Sequence, residues 1–557
     1  MIVFMTYVMY QEQRAPDPAV EASVVAEAAG SIDEASGPSE ERAAPAPGGA
    51  SLPQAATSEP RGALERDAAP VREIELASRT LQNDQIVAQI SNGPALITSW
   101  TLRDFKERLP GGEVPIELVN PEQPIVITDV EGLSGASFAN QRFEIVRESP
   151  REIVQRARNS AGVLTRTIRI DDEGYGFDLE LAFESARVDP VDARFEILVP
   201  ARTSKRDDFR ETSLVAYGDD TGITRTFVQA VGQPAFLGFG GSSDGKERIE
   251  GRSKWAGFDA HYFAGLLIDS KDREGLDVVF EALVESESSQ ARVLLPGQGV
   301  SSGGVAVEKL RGFLGPKTAE ALEAADASLE KSVDRGWSWL EPLTRFFEIA
   351  LDKLYVVIPN YGFAIIVLTI MVRIVTAPLM VRQMRSAERM REVQPRLKAL
   401  QERYKDDRQK QSEEMMKLYR EEGINPLGGC LPLFLQMPVL IGLFYALRTS
   451  IGLRHAPFIL WIDDLSQPAT LFTIPGLDFP VRLLPLIMGG SMYVQQKMMP
   501  QTGMDPVQAR MMLIMMPGMM LFISYTFPSG LVLYWMISNV LGIAHQLYVR
   551  SRMHAST

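Results

Sequence analysis

Residues 355–380 of the chain are YVVIPNYGFAIIVLTIMVRIVTAPLM, an apolar run in which Arg373 is the one charged side chain. A helix needs about 20 mostly apolar residues to cross the roughly 30 Å of hydrocarbon in a bilayer. This run therefore predicts a transmembrane helix. Similar runs follow at 427–447, 483–499, 511–527 and 531–549, so the sequence predicts five membrane spans. The run at 483–499 is the weakest of these predictions, because it is short and contains polar residues.

The averages over the whole chain do not reveal this membrane part. The 557 residues have a net charge of −14, with 45% hydrophobic and 23% charged residues, which is typical of an acidic soluble protein. The methionines are distributed unevenly: after Met1, Met5 and Met9 the next is Met371, and all the others follow it. Two parts of different chemistry are therefore joined in one chain.

Several classes of protein are excluded by simple counts. The single cysteine, Cys430, cannot form an internal disulfide and does not support a zinc ribbon or an iron–sulfur site. The four histidines are scattered without a metal-binding spacing, so we expect no metal and no other cofactor. An acidic chain binds nucleic acid poorly, and we expect no specific nucleic-acid partner. The glycine-rich segment 240–246 resembles a phosphate loop, but Glu247 stands where a hydroxyl residue is required, which favours a hairpin loop.

The N-terminal region divides into two segments. Residues 1–10 are apolar but too short to span a bilayer, and we interpret them as the remnant of a spanning helix that starts upstream. The alternative is a short apolar tail. Residues 11–71 are rich in Ala, Pro, Glu and Ser, a composition that cannot build a core and predicts a disordered acidic linker.

Residues 72–315 have the pattern of an all-β domain. The run 164–170 alternates apolar and polar side chains, and 177–183 follows after a turn-like segment, which predicts a hairpin with one buried face. Asn92-Gly93 is a second turn signal. Many such strands over this length predict a large antiparallel sandwich.

Residues 316–353 predict an amphipathic helix that lies at the membrane interface. Apolar side chains recur every three or four positions, and Trp337 and Trp339 stand just before this stripe. Tryptophan is enriched at the level of the lipid headgroups. A core helix of a soluble domain is the alternative.

The predicted membrane core extends over residues 354–550, and its loops indicate its orientation. Residues 381–422 are dense in Arg and Lys and predict a cytoplasmic helical hairpin, which also places the short tail 551–557 in the cytoplasm and the β domain outside. The basic face of the hairpin would touch anionic lipid or ribosomal RNA, or would simply be solvated. Its apolar seam has the spacing of a coiled coil and consists of Met390, Val393, Leu397, Leu400 and Tyr404.

Arg373 is the clearest candidate functional residue. An arginine at the centre of a membrane helix costs about 2.5–3.5 kcal/mol on insertion scales, and the five predicted spans contain no Asp or Glu. We therefore expect Arg373 to face a water-filled pocket, or else to extend its side chain to the headgroups. Further polar residues of the spans would line the same pocket or form hydrogen bonds between helices: Thr369, Gln436, Tyr534, Ser538 and Asn539.

Five runs of this region resemble the YidC membrane-insertase family, of the Gram-negative type with a large periplasmic domain. They are VRIVTAPL (372–379), NPLGGCLP (425–432), LQMP (435–438), APFILWIDDLS (456–466) and FPSGLVLYW (527–535). The β domain matches more loosely, at Tyr262-Phe263 and Leu314-Gly315-Pro316.

The resemblance implies a multi-domain membrane protein of the bacterial inner membrane. The fold would be an all-β periplasmic supersandwich joined to an α-helical core of five spans with a cytoplasmic helical hairpin. The implied function is that of an insertase rather than an enzyme, which inserts and helps to fold membrane proteins alone or with the Sec translocon. The implied partners are nascent membrane proteins, the lipid bilayer, and the ribosome or signal recognition pathway through the hairpin.

The resemblance also assigns residues to a client-binding groove that is positively charged, hydrated, and open to the cytoplasm and to lipid. Arg373 matches the groove arginine, and Thr369 and Tyr534 match groove positions. The spans at 427–447 and 511–527 match the helices along which clients slide. Flexible thioethers suit a surface that accepts many apolar sequences, although lipid-facing packing explains them equally well. The predicted slide residues are Met437, Leu440, Phe444, Met512, Met516 and Met519.

Two other functions remain open from the sequence. A transporter or channel would use Arg373 as an anion site, but it would be expected to contain paired half-repeats, and the sequence has no internal repeat. A sugar-binding or mutarotase-like β domain is the other alternative, and the single His261 is weak support for it.

Overall fold

The computed structural model describes residues 74–109, 112–131, 133, 136–202, 211–231, 245–269, 275–283, 288–405, 407–422, 431–476, 479–498 and 506–554. The predictions for residues 1–10, for the linker up to residue 71, for the loop 240–244 and for the end of the tail lie outside these ranges.

The first nineteen strands form the β domain, which covers residues 78–316. In chain order they are β1 Ser78–Gln82, β2 Ile86–Ser91, β3 Ala95–Leu109, β4 Gly112–Val119, β5 Ile125–Glu131, β6 Glu144–Glu148, β7 Glu152–Arg158, β8 Gly162–Ile170, β9 Gly176–Ser185, β10 Val191–Arg202, β11 Ser213–Gly218, β12 Gly222–Phe227, β13 Lys246–Arg248, β14 Trp255–Asp259, β15 Phe263–Asp269, β16 Asp277–Leu283, β17 Ser288–Leu294, β18 Gln298–Val300 and β19 Val305–Pro316.

Two large antiparallel sheets build the β domain. One sheet has ten strands in the order β1-β2-β3-β5-β10-β17-β16-β13, with β4 paired to β3 and β18 paired to β10. The other has nine strands in the order β12-β11-β14-β15-β19-β9-β8-β7-β6. The predicted antiparallel sandwich is therefore present.

The hairpin predicted from alternation is present. Strands β8 and β9 pair with Leu164 opposite Phe183 and Ile170 opposite Phe177, and all four side chains are buried. The Asn92-Gly93 turn connects β2 to β3, which pair antiparallel. The buried face of the β8–β9 hairpin follows because a period of two places one face of a strand in the core and the other in water.

Trp100 connects the two sheets through the middle of the core. It is fully buried on β3, its ring lies 5.3 Å from that of Phe177 on β9, and its Nε1 donates to the carbonyl of Leu314 on β19 at 2.9 Å. A buried indole N–H needs such an acceptor, so the position of Trp100 fixes how one sheet lies on the other.

The segment after β19 differs from the predicted single amphipathic helix. It contains helix α1 (Ala319–Ala325), a 3₁₀ turn (Ala327–Ser332) and helix α2 (Glu341–Val357), which starts with Pro342 in its first turn. Gly336 has φ +82°, a left-handed conformation suited to glycine, so the chain turns before α2 begins. Trp337 and Trp339 precede α2 as predicted, and both are exposed.

In the described part of the chain six helices follow, with a small two-stranded hairpin between the third and the fourth. The helices are α3 Tyr361–Arg403, α4 Arg408–Glu421, α5 Leu431–Thr449, α6 Leu483–Met498, α7 Pro506–Ser524 and α8 Ser529–His554, and the hairpin strands are β20 Phe472–Ile474 and β21 Phe479–Val481. Among the described residues, two windows are long and apolar enough to cross a membrane, Tyr361–Pro378 in α3 and Ser529–Val549 in α8. Helix α7 contains a shorter apolar stretch, Leu513–Ser524.

Helix α3 begins later and continues further than the sequence indicated. The break at 358–360 separates it from α2, and the side chain of Asn360 caps its first turn by accepting a hydrogen bond from Phe363 N at 3.2 Å. The helix then continues through Pro378 and Pro395 to Arg403. The predicted first span and the first arm of the predicted hairpin are therefore one continuous helix.

Helix α4 folds back along the end of α3. Arg396 forms an ion pair with Glu422 at 2.6 Å, and Gln411 Nε2 donates to the carbonyl of Gln401 at 2.9 Å. Val393 and Leu397 of the predicted seam are buried. The two helices thus pack as an antiparallel pair.

The β domain contacts the end of helix α5 and the turn after it. Ile451 packs against the core of the β domain, Arg454 donates to the carbonyl of Lys106 at 2.6 Å, and Arg448 forms an ion pair with Glu211. We call this contact, formed by Glu211, His261 and Lys106 with Arg448, Ile451 and Arg454, the junction. It joins the two parts of the chain through both apolar and charged contacts.

Candidate polar pocket in the helical region

Helix α8 is the central helix of the candidate site. It packs against α6, α3 and α5, so side chains on its different faces meet residues from three neighbouring helices. Its residues 531–534 are all buried. This arrangement brings together polar positions that are far apart in the sequence.

Arg373 projects from α3 toward α8. Its Nη2 donates to the hydroxyl of Ser538, and its Nη1 contacts the sulfur of Met380 at 3.2 Å. Its Nε is buried and has no hydrogen-bond partner among the described residues. The guanidinium also has no carboxylate within ion-pair distance in the described part of the chain, so a cation is held here without a counter-charge.

Gln436 and Tyr534 extend the polar contacts to helix α5. Gln436 Nε2 donates to the Tyr534 hydroxyl at 3.2 Å, and Tyr534 is almost completely buried. Tyr534 and Ser538 are four positions apart on α8, so they lie on the same face of that helix. Four predicted residues therefore lie in one polar strip that connects α5, α8 and α3.

Thr369 and Asn539 do not form hydrogen bonds to the described residues of the polar strip. The buried Thr369 hydroxyl donates to the carbonyl of Ile365 in its own helix at 2.6 Å. Asn539 Nδ2 donates to Ser491 Oγ on α6 at 3.1 Å. Asn539 thereby connects α6 to α8, as the interhelical alternative predicted.

Two residues beside Arg373 were not predicted as site residues. A Cβ atom placed on Gly542 of α8 would lie 2.6 Å from Gln495 Nε2 on α6 and 3.8 Å from Arg373 Nη2. The amide of Gln495 and the guanidinium of Arg373 therefore approach the same bare stretch of α8. In the sequence, Gln495 was visible only as a polar residue in the weakly predicted span 483–499. Nothing in the sequence indicated that it lies near Arg373.

The predicted slide residues lie on α5 and α7 with unequal exposure. Met437 is exposed, whereas Leu440 and Phe444 are half-buried against the helical core. On α7, Met516 accepts from Gln496 Nε2 at 2.9 Å and Met519 is half-buried, while the side chain of Met512 lies outside the described residues. Among the described side chains of α7, the most exposed apolar ones are Met511, Ile514, Met515 and Phe522.

The histidine and carboxylate side chains of the described residues bear on two kinds of chemistry, metal binding and sugar binding. Among the described residues no group of three or more His, Cys, Asp or Glu side chains is placed to hold a metal ion. His261, the weak support for a sugar site, is engaged in the junction, where its Nε2 lies 3.0 Å from the carbonyl of Arg448.

These features describe a protein in which a helical region, with two described helices long and apolar enough to cross a membrane, contains a polar strip with a half-buried arginine and adjoins a large all-β domain. A family model described as "60Kd inner membrane protein" matches residues 353–556, and one described as "YidC periplasmic domain" matches residues 78–348. A curated relative from Syntrophus aciditrophicus, named membrane protein insertase YidC, is 32% identical over 82% of this chain and 81% of its own length. The chain belongs to the YidC family.

Two further comparisons give the extent of the similarity. A relative of the same name from Pelobacter propionicus is 42% identical over 53% of this chain and 54% of its own length. The chain thus spans about half the length of the first curated relatives that it matches. A solved structure titled as an active YidC insertase, with 18% identity, covers 85% of this chain and 93% of its own, with a TM-score of 0.35.

Proposed function

We propose that this protein is a membrane protein insertase of the bacterial inner membrane. It inserts membrane proteins and helps them to fold, alone or together with the Sec translocon, and it is not an enzyme. Its helical core crosses the membrane five times, and the polar strip with Arg373 is part of a hydrated groove open to the cytoplasm and to lipid.

The observation that supports this proposal is the state of Arg373. A charged side chain in a membrane helix is costly unless it is paired or hydrated, and the described residues offer Arg373 one hydroxyl, one sulfur and no carboxylate. A buried donor such as its Nε requires a partner. Water and the polar segment of a client supply such partners. The site around Arg373 is therefore suited to a client segment that carries hydrogen-bond acceptors.

The driving force would come from the client itself. A hydrated groove shortens the apolar layer that a polar segment must cross, and Arg373 attracts an acidic one. A pair of unit charges at 4 Å is worth about 4 kcal/mol at an effective dielectric constant of 20, an upper value for a wet groove. Burial of the client's apolar helix in lipid then contributes roughly 25 cal/mol per Å², and the slide residues of α5 and α7 would guide it.

The remaining partners follow from the proposed orientation. The β domain would lie in the periplasm, and the α3–α4 hairpin and the C-terminus in the cytoplasm. The basic hairpin would then meet the ribosome, the signal recognition pathway or anionic lipid.

The test is insertion of a single-span client into proteoliposomes, measured by protease protection, with wild type, Arg373→Lys and Arg373→Ala. If the charge is what matters, the lysine variant retains most of the insertion and the alanine variant loses it. Equal insertion by the two variants would contradict the proposal. Flux of small anions without insertion of the client would favour the transporter instead.

A further inference from the structure

The small hairpin between helices α5 and α6 exposes an apolar face. Strands β20 and β21 pair with Phe472 opposite Val481 and Ile474 opposite Phe479, so these four side chains share one face of the hairpin. Phe472, Ile474 and Phe479 are exposed. We propose that this face enters the lipid leaflet on the side of the β domain, as a membrane contact separate from the spanning helices. The inference rests on the proposed function, which places those helices in a membrane.

A hairpin of this size and composition needs a cover. Each strand has three residues, and an isolated two-stranded hairpin is at best marginally stable in water. Residues 471–476 are all exposed. In the sequence between 471 and 481 the one charged residue is Asp478, which stands between the two strands. An exposed apolar surface marks a contact with a membrane or a partner, so the hairpin is suited to an apolar environment rather than to water.

The position of the hairpin in the chain identifies lipid as the cover. Strand β21 ends at Val481 and helix α6 begins at Leu483, and Leu486 and Ile487 near the start of α6 are exposed. Helix α6 is one of the proposed spans, so these side chains face lipid in the proposed function. The exposed apolar residues of the hairpin precede them directly. The α5–α6 connection also begins at the junction, which places the hairpin on the side of the β domain.

The base of the hairpin carries side chains typical of the headgroup layer. The Phe479 ring stacks on that of Tyr525, directly after α7, with 5.6 Å between the centroids, and the Tyr525 hydroxyl donates to the carbonyl of Pro480. The guanidinium carbon of Arg482 lies 4.9 Å from the centroid of the Tyr525 ring. Tyrosine is enriched at membrane surfaces, and arginine there lays its apolar stem along the bilayer while its charge stays in water. These contacts hold the hairpin at the depth where its apolar face reaches the acyl chains.

Leu460 is a second exposed apolar side chain in the α5–α6 connection. It is 81% exposed and has φ +58°, a left-handed conformation that residues with a side chain disfavour. The turn around it is closed by a hydrogen bond from Phe458 N to the carbonyl of Ile462 at 2.9 Å. Such a conformation persists where the surrounding structure holds it, and it occurs at functional positions. The connection thus presents an apolar side chain outward at two places, which supports a contact with lipid.

The experiment measures the depth of single positions in the full chain, reconstituted alone into liposomes of phosphatidylethanolamine and phosphatidylglycerol. A nitroxide is attached to one cysteine at a time in the Cys430→Ser background. Its collisions with oxygen, which concentrates in lipid, and with a water-soluble nickel complex are measured by electron paramagnetic resonance. Phe472→Cys is the test position, and Thr473→Cys is its matched control on the opposite face. Val375→Cys, exposed on α3, is the lipid reference, and Val188→Cys, exposed on the β domain, is the water reference.

We expect the label of Phe472→Cys to lose its collisions with the nickel complex and to gain collisions with oxygen, as at Val375→Cys, while Thr473→Cys stays accessible to nickel. Nickel access at Phe472→Cys equal to that at Val188→Cys overturns the contact. Protection from both reagents together with spin–spin broadening also overturns it, because a second copy of the chain would then cover the face. Should Phe472→Cys disturb the hairpin, Ile474→Cys on the same face decides the outcome.

Insertion of a single-span client into the same liposomes separates this inference from the function on which it rests. Nickel access at Phe472→Cys with normal insertion overturns the lipid contact and leaves the insertase. A lipid-like value at Phe472→Cys without insertion supports the lipid contact and overturns the insertase. A water-like value at Val375→Cys overturns both, since α3 would then not span the bilayer.

Discussion

Arg448, in the last turn of helix α5, forms an ion pair with Glu211, which lies two residues before strand β11 of the β domain. Both side chains are about one quarter to one third exposed, at 26% and 34%. His261 adds to this pair, since its Nδ1 lies 3.6 Å from the Glu211 carboxylate. Helix α5 therefore carries Gln436 of the polar strip near its start and contacts the β domain through Arg448 near its end.

Removing this ion pair should weaken the junction. We expect Arg448→Met and Glu211→Gln each to destabilise the contact by about 1–2 kcal/mol, between the values for exposed and for buried pairs. Thermal unfolding in detergent measures this, with the double variant completing the cycle. Additive losses in the double variant would show that the two side chains do not act on each other.

The junction should also weaken in acid. Burial alone would raise the pKa of Glu211, but the hydrogen bond from His261 and the positive charge of Arg448 outweigh burial and hold this pKa well below its usual range. A carboxyl group with a lowered folded-state pKa stabilises fully above its unfolded pKa, which is about 4.3 for glutamate, and loses this contribution as the pH falls toward the folded value.

The corresponding measurement is the unfolding temperature as a function of pH. Wild type should lose stability below about pH 4.3 more steeply than Glu211→Gln, which has no carboxyl group to protonate. Parallel curves for the two proteins would mean that Glu211 titrates normally and that the junction does not depend on its charge.

Tyr534→Phe should loosen the contact between α5 and α8. The change removes the acceptor of Gln436 and leaves that amide without this partner, at a cost of about 0.6–1.7 kcal/mol for hydrogen bonds between membrane helices. Unfolding in mixed micelles measures the loss. Tyr493→Phe is the matched control, since Tyr493 is 40% exposed on α6, and a loss of equal size there would indicate a general effect of hydroxyl removal.

Gly312→Ala should destabilise the β domain. Gly312 of β19 pairs with Phe177 of β9, and a Cβ atom at this position would lie 2.0–2.6 Å from three carbons of the Phe177 ring. Overpacking of a filled core costs about 1–3 kcal/mol. Gly299→Ala is the control, because its Cβ would meet nothing within 4 Å, and chemical denaturation of the full chain compares the two. Unchanged stability of the Gly312 variant would mean that the ring moves aside freely.

Local patterns in the sequence were sufficient for single elements but not for their arrangement. The β8–β9 hairpin was predictable, since alternation and the turn between the strands are local. The pairing of β5 with β10 depends on contacts between distant segments and has no local signature. The continuation of α3 through Pro378 also ran against propensity, because proline removes a hydrogen bond from a helix interior.

The candidate site shows the same division between local and distant information. Arg373 and Tyr534 stand out because polar groups are costly in apolar runs. Gly542 has no side chain that could be recognised in the sequence, and only the approach of Gln495 from another helix distinguishes it. Such a position becomes visible when neighbouring helices are placed together.

Helix α3 has a mechanical consequence. Arg373 and Arg403 belong to one helix, and at 1.5 Å per residue the length of helix between them is about 45 Å. A force applied at the tip of the hairpin would therefore be transmitted to Arg373 along a single helix. Prolines are where helices bend, so Pro378 and Pro395 determine how much of that movement arrives at the pocket.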